Sequence, residues 1–185
     1  MKSLTTRFLM TCAAIGAASG VLLVPVNHAS AILAPTVPIV YAGLVGFWIL
    51  GPVLGLAVLR RPGAALLTTL IAGLVNVPLT PFGPSAVVTT LMVGVAVESG
   101  FAVTRYRVWK PWLFYVTTVL FTAVYAVVAY ASFDMGSTVV AVRVLFFVLM
   151  LASATLATWA GLALAKRVAK TGVTRGLVRP TSTGA

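Results

Sequence analysis

The sequence holds only two acidic residues, Glu98 and Asp134, one cysteine, Cys12, and one histidine, His28. A Cys/His zinc site and an intrachain disulfide are excluded at once, since each needs partners that the chain does not carry. No G-x-x-x-x-G-K-[ST] run occurs, so ATP hydrolysis through a P-loop is excluded as well. A Ser-His-Asp set would have to recruit His28, and no nucleophile-elbow pattern is present to supply the serine. Charge is scarce overall: 8% of residues are charged, against about a quarter in a soluble domain. Too few charges remain to cover a water-facing surface.

What is abundant is apolar. Hydrophobic residues make up 61% of the 185, and the mean hydropathy is +1.10. The surrounding medium is therefore lipid. Reading for runs of about 20 apolar residues gives six segments, at residues 9–24, 37–59, 64–79, 85–104, 112–131 and 138–165. The breaks carry turn residues or charge, as in Pro25-Val26-Asn27-His28, Arg60-Arg61-Pro62-Gly63 and Thr80-Pro81-Phe82-Gly83-Pro84. The fold class expected is an all-α integral membrane protein, a compact bundle of six transmembrane helices with both ends in the cytoplasm. Residues 1–165 form this unit, and residues 166–185 form a basic, disordered cytoplasmic tail that lies against anionic headgroups.

Orientation comes from the basic residues. The chain has 13 Lys and Arg, a net charge of +11, and twelve of these cations fall before span one or after spans two, four and six. The three alternate loops have none. The positive-inside rule then places both termini and these loops in the cytoplasm. The same clustering argues against nucleic acid, because no basic stripe interleaves with aromatics. Lys2 and Arg7, an apolar run and Ala29-Ser30-Ala31 also match a cleavable signal peptide. Cleavage would leave five spans with the loops on the same side.

Polar groups inside spans are the candidate functional residues, since a charge at the bilayer centre costs at least about 2.5–3.5 kcal/mol. Counting along the helices puts Glu98 about 20 Å and Arg143 about 8 Å from the outer face, too far apart to pair. Arg143 is expected to face a ligand near the outer mouth, to snorkel outward or to bond Asp134. Glu98 either satisfies a neighbouring helix or backbone group, or touches ligand. Asn76, which either meets ligand or makes an interhelical hydrogen bond, and Tyr125 complete the substrate-binding candidates; Tyr125 stands four residues after Phe121, with Phe114 one heptad earlier. Such a stripe supplies either packing or a stacking wall. Span one repeats small residues every four positions, Ala13 with Ala17, Ala14 with Ala18 and Gly16 with Gly20, a spacing that lets helices approach closely in lipid.

Several stretches resemble the YkoE family. They are Arg60-Arg61-Pro62-Gly63-Ala64-Ala65-Leu66, Ile71-Ala72-Gly73-Leu74-Val75, Gly94-Val95-Ala96-Val97-Glu98-Ser99-Gly100-Phe101 and Thr104-Arg105-Tyr106, within residues 37–107. That family contains substrate-binding S components of energy-coupling factor (ECF) vitamin transporters, associated with thiamine and its hydroxymethylpyrimidine precursor. The resemblance implies a multi-pass protein of the cell membrane that captures a vitamin outside and needs no cofactor. It implies as partners a coupling transmembrane protein and two cytoplasmic ATPases, met through the Ala13/Ala17 and Ala14/Ala18 face. The chain departs from the family at Thr69 and Asn76, where acids are usual, and at Thr80-Pro81-Phe82-Gly83-Pro84, which replaces a G-N-x-x-G turn. Those positions bear on which small metabolite is bound. Two other classes stay open: a membrane scaffold without ligand, and a membrane-embedded enzyme using Glu98 as acid or base.

Overall fold

Among the residues that the computed structural model describes (6–133, 136 and 138–170), the regular structure is seven helices. In order they are α1 Thr6–Thr36, α2 Pro38–Leu44, α3 Gly46–Leu59, α4 Ala64–Asn76, α5 Ser85–Val103, α6 Pro111–Ser132 and α7 Val140–Lys170. Helices α2 and α3 run on as one span of 22 residues, Pro38–Leu59, so the six expected segments are all present. Five are long and apolar enough to cross a membrane. The sixth, α4, has 13 residues, or about 20 Å of helix.

The first expected break is not one. Pro25-Val26-Asn27-His28 has the composition of a turn, yet α1 continues through it for 31 residues to Thr36. Proline removes one backbone donor, whereas leaving the helix would strand several groups where no water can reach them. The continuous helix also carries Asn27 into the interior, where it is 2% exposed. At the other end of the chain, α7 runs to Lys170, five residues past the expected boundary. Residues 171–185, most of the expected tail, lie outside the described residues, as do Lys2 and Asp134.

The opposite case is the interruption at Val45, which divides α2 from α3. Ser153 of α7 makes it tolerable: its hydroxyl donates to Gly43 O at 2.6 Å and accepts from Gly46 N at 2.9 Å. One side chain thus satisfies both sides of the break. Beyond it α3 is the central helix, burying Ile49, Val53, Leu56 and Leu59 among its neighbours. Helices α6 and α7 are tied by the Thr118 and Thr158 hydroxyls, 2.9 Å apart.

One apolar cluster gathers Phe8, Leu59, Ala64, Phe101, Leu113 and Ala165, and the Arg61 guanidinium lies 5.8 Å over the Phe8 ring. The start of α1, the α3–α4 and α5–α6 loops and the end of α7 therefore meet at one end of the bundle. The clustered cations among the described residues gather there, and it is called the basic end below. A second cluster, with Tyr41, Val45, Ala126, Phe146 and Met150, fills the far end.

Helices α1 and α4 touch through glycine. A Cβ at Gly16 would stand 2.8 Å from both Ile71 Cβ and Thr68 O, and one at Gly20 would stand 2.9 Å from Val75 Cβ. Neither contact leaves room for a methyl group. We expect Gly16→Ala to destabilise the bundle by about 1–3 kcal/mol, seen as a lower Tm in detergent. Ala14→Val, on the exposed side of the same helix, should leave Tm unchanged.

Candidate functional site

Each end of α4 carries a polar constellation. At its N-terminus the Glu98 carboxylate, 4% exposed, accepts from Gly63 N and, at 3.2 Å, from Leu66 N. Those are donors that an α-helix leaves unpaired at its start, and a negative group also suits the helix dipole there. Gly63, with φ +81°, turns the chain so that its N–H meets the carboxylate. The Tyr106 hydroxyl donates to the same group at 2.9 Å. Burial, and next the bond to Glu98, push that hydroxyl up to about 12, so it remains a donor throughout the physiological range.

The backbone that brings Tyr106 round is strained. Arg105 and Tyr106 have φ of 51° and 56°, each costing roughly 1 kcal/mol or more for a side-chain-bearing residue. Tyr106 N→Phe101 O at 2.7 Å and the packing of Phe101 and Tyr106 on Trp109 hold the turn. The two most recognisable pieces of the sequence, Arg60 to Ala65 and Gly94 to Tyr106, thus meet in one assembly at the basic end. Its work is to cap α4.

At the other end of α4, Asn76 is fully buried. Its Nδ2 donates to Gly20 O at 3.0 Å and Ala72 O at 2.7 Å, and its Oδ1 accepts from Asn27 Nδ2 at 2.9 Å. Below this pair lies a cavity of about 10 Å³, room for about one water, lined by Ser19, Leu23, Trp48, Thr69, Ala72 and Thr90 among others. Above it stands an aromatic group. The Tyr41 and Tyr125 hydroxyls are hydrogen-bonded to each other, Tyr41 meets Trp48 at 6.3 Å and Phe133 edge-on at 5.4 Å, and Phe121 stacks on Tyr125 at 6.2 Å. Phe114 is not part of this wall; it packs on Phe101 toward the basic end.

The sequence candidates therefore separate. Asn76 and Tyr125 both belong to the far half of the bundle. Glu98 sits at the opposite end of α4, about 20 Å of helix away, engaged with backbone donors. Arg143 folds onto the α6–α7 loop, donating from Nε to Thr138 O at 2.9 Å and from a terminal nitrogen to Gly136 O. Its expected partner Asp134 lies outside the described residues. On α1, Ala14, Ala17 and Ala18 are exposed and Ala13 is half-buried, while Gly16 and Gly20 face α4. Sequence reasoning does not single out Asn27, Ser30, Tyr41 or Trp48. The heptad-like recurrence of Ser19, Leu23, Asn27 and Ser30 along one helix face is the signal that points to two of them.

The family described as "ABC-type cobalt transport system, permease component" matches residues 8–124. A curated relative, "Putative HMP/thiamine permease protein YkoE" of Bacillus subtilis (strain 168), is 30% identical over 112 residues. That stretch is 60% of this chain and 56% of the relative, so the match spans little more than half of the relative's length. A solved structure titled "Crystal structure of an S-component of ECF transporter" superposes with a TM-score of 0.80 at 25% identity, covering 94% of this chain and 90% of the other.

Replacing Glu98 by Ala should cost about 2 kcal/mol of stability, since a charged cap and its bonds are lost together. Tyr106→Phe, which removes one of those bonds, should cost about 1 kcal/mol. Chemical denaturation in mixed micelles, with helicity read by circular dichroism, measures both.

Proposed function

This chain belongs to the family of ABC-type cobalt transport system permease components and has the fold of an ECF transporter S component; on that premise we propose that it captures a small organic metabolite outside the cell, thiamine or its hydroxymethylpyrimidine precursor, for an importer whose ATPases are separate chains. It is a transport protein of the membrane, not an enzyme. The observation that carries the reading is the match to a solved S component over 94% of the chain. The named activity of the relative supports the choice of cargo. Cobalt itself suits the chain poorly as cargo: two acids, one cysteine and one histidine are all the strong ligands in the sequence. Among the described residues no three of them converge.

In this reading the basic end faces the cytoplasm and the far end faces outward. Ligand sits between Asn76 and the aromatic group of Tyr41, Trp48 and Tyr125, where a flat ring finds both a stacking surface and amide hydrogen bonds. The water-sized cavity is too small for such a ring, so an element must move. Helix α2 is the element suited to moving, because it has only seven residues, breaks from α3 at Val45 and is latched to α6 by Tyr41 and Tyr125. Glu98 and Arg143 serve the site indirectly, the first by seating α4 and the second by fixing the α6–α7 loop.

The partners are a coupling transmembrane protein and two cytoplasmic ATPases. Ala14, Ala17 and Ala18, exposed on α1 with Ala13 at their edge, form a smooth face on which a partner helix can pack closely. A mild-detergent pull-down of the tagged chain from its native membranes, followed by mass spectrometry, tests this. A membrane partner, two ATPases and a pyrimidine-containing metabolite are expected; non-ATPase partners and no small molecule would point to a scaffold instead. Replacing Ala14 and Ala18 together by Trp should cut ATPase recovery at least ~10-fold with ligand still bound. Tyr125→Phe should speed ligand release by about 3–10-fold, read by stopped-flow tryptophan fluorescence.

A further inference from the structure

Two buried polar atoms on α1 have no partner: Asn27 Oδ1 and Ser30 Oγ, in residues 2% and 1% exposed. Inside a protein surrounded by lipid no bulk water relieves them. They lie three residues apart on one helix face. Toward the basic end, Ser19 and Leu23 of that face line the cavity with Trp48. Toward the far end, Leu33 packs into the cluster of Tyr41 and Trp48. The unpartnered pair thus sits between the cavity and the aromatic group.

Which atom of Asn27 is open is decided by its neighbour. Both N–H bonds of the Asn76 amide are spent on Gly20 O and Ala72 O, so Asn76 presents its oxygen to Asn27. Asn27 must answer with Nδ2, and a flipped amide would set oxygen against oxygen. Its open atom is therefore an acceptor. Ser30 is unusual in another way. Thr11, Ser19 and Thr36, on the same helix, each donate to the carbonyl four residues earlier, and Ser30 does not. Its hydroxyl is held off the backbone.

We propose that Asn27 and Ser30 form the specificity edge of the binding site, reading an N–H donor beside an acceptor, as on the amino-bearing edge of an aminopyrimidine. This rests on the binding-subunit reading above and adds the residues that choose the cargo. The exocyclic amino group donates to Asn27 Oδ1, and the adjacent ring nitrogen accepts from the Ser30 hydroxyl. An oxo group at the same ring position would put an acceptor against Asn27 Oδ1 and leave both unpaired, which a buried site rejects strongly.

The test uses the full chain in mild detergent, titrated with hydroxymethylpyrimidine and with its analogue carrying oxo in place of the amino group. Wild type should favour the amino compound by at least ~30-fold. Asn27→Ala should erase that preference. Ser30→Ala should weaken the amino compound ~10-fold while ligand-free Tm holds or rises, because an unpartnered hydroxyl is lost from the fold. A structural hydroxyl would show the reverse, a lower Tm with affinity unchanged, and this overturns the proposal even if Asn27→Ala fails to fold. Amino-selective binding that ignores both substitutions overturns it too and leaves the binding-subunit reading in place. Should neither compound bind while ATPases still copurify, the specificity edge is wrong and the importer reading survives. Absence of both binding and ATPases removes the two together.

Discussion

Helix α4 is too short for the membrane it sits in, and much of the structure answers that constraint. At about 20 Å against a core of about 30 Å, thirteen residues cannot carry both ends out of the hydrocarbon, and unpaired N–H and C=O groups left inside cost several kcal/mol each. Glu98 supplies the acceptor for the first end. At the second end, hydrogen-bonded turns take over: Leu79 N, Thr80 N and the Thr80 hydroxyl all donate to Asn76 O. The rare acid of span four answers the unpaired start of a short helix, while the rare amide of span three ties that helix to α1.

Satisfying α4 also places the candidate site. The helix is pressed against α1 through Gly16 and Gly20, which brings Asn27 within hydrogen-bond reach of Asn76. Were either glycine larger, the helices would separate and the amide relay would open. The same logic governs the break at Val45, where Ser153 lets a span change direction without stranding its backbone. That break frees Tyr41 to lean across to Tyr125. The capped start of α4 at the basic end and the broken span toward the far end are thus consequences of one rule about backbone in lipid.

The candidate site is only partly legible in the sequence. Asn76 and Tyr125 stand out as polar or aromatic groups inside apolar runs. Asn27 does not, because Pro25 beside Asn27 and His28 has the composition of a turn, and only the absence of water makes helix the better solution there. Glu98 is conspicuous for its charge, but besides the Tyr106 hydroxyl its partners are the backbone N–H groups of Gly63 and Leu66, which every residue but proline carries. No side-chain pattern could announce them. Arg143 draws notice for the same reason, and it bonds the carbonyls of Gly136 and Thr138.

Composition alone determined that the chain lives in lipid, and the spacing of apolar runs determined its six segments, because hydrophobic length is a local property summed along the chain. The grouping of cations was equally local, and the bundle gathers the clustered ones among the described residues at one end. Pairings belong to the tertiary structure. That α1 continues past Pro25, that Glu98 caps a helix 32 to 35 residues earlier and that Asn27 meets Asn76 across 49 residues depend on how closely two helices approach. That distance is set by packing between residues remote in the chain, and no window along the sequence contains it.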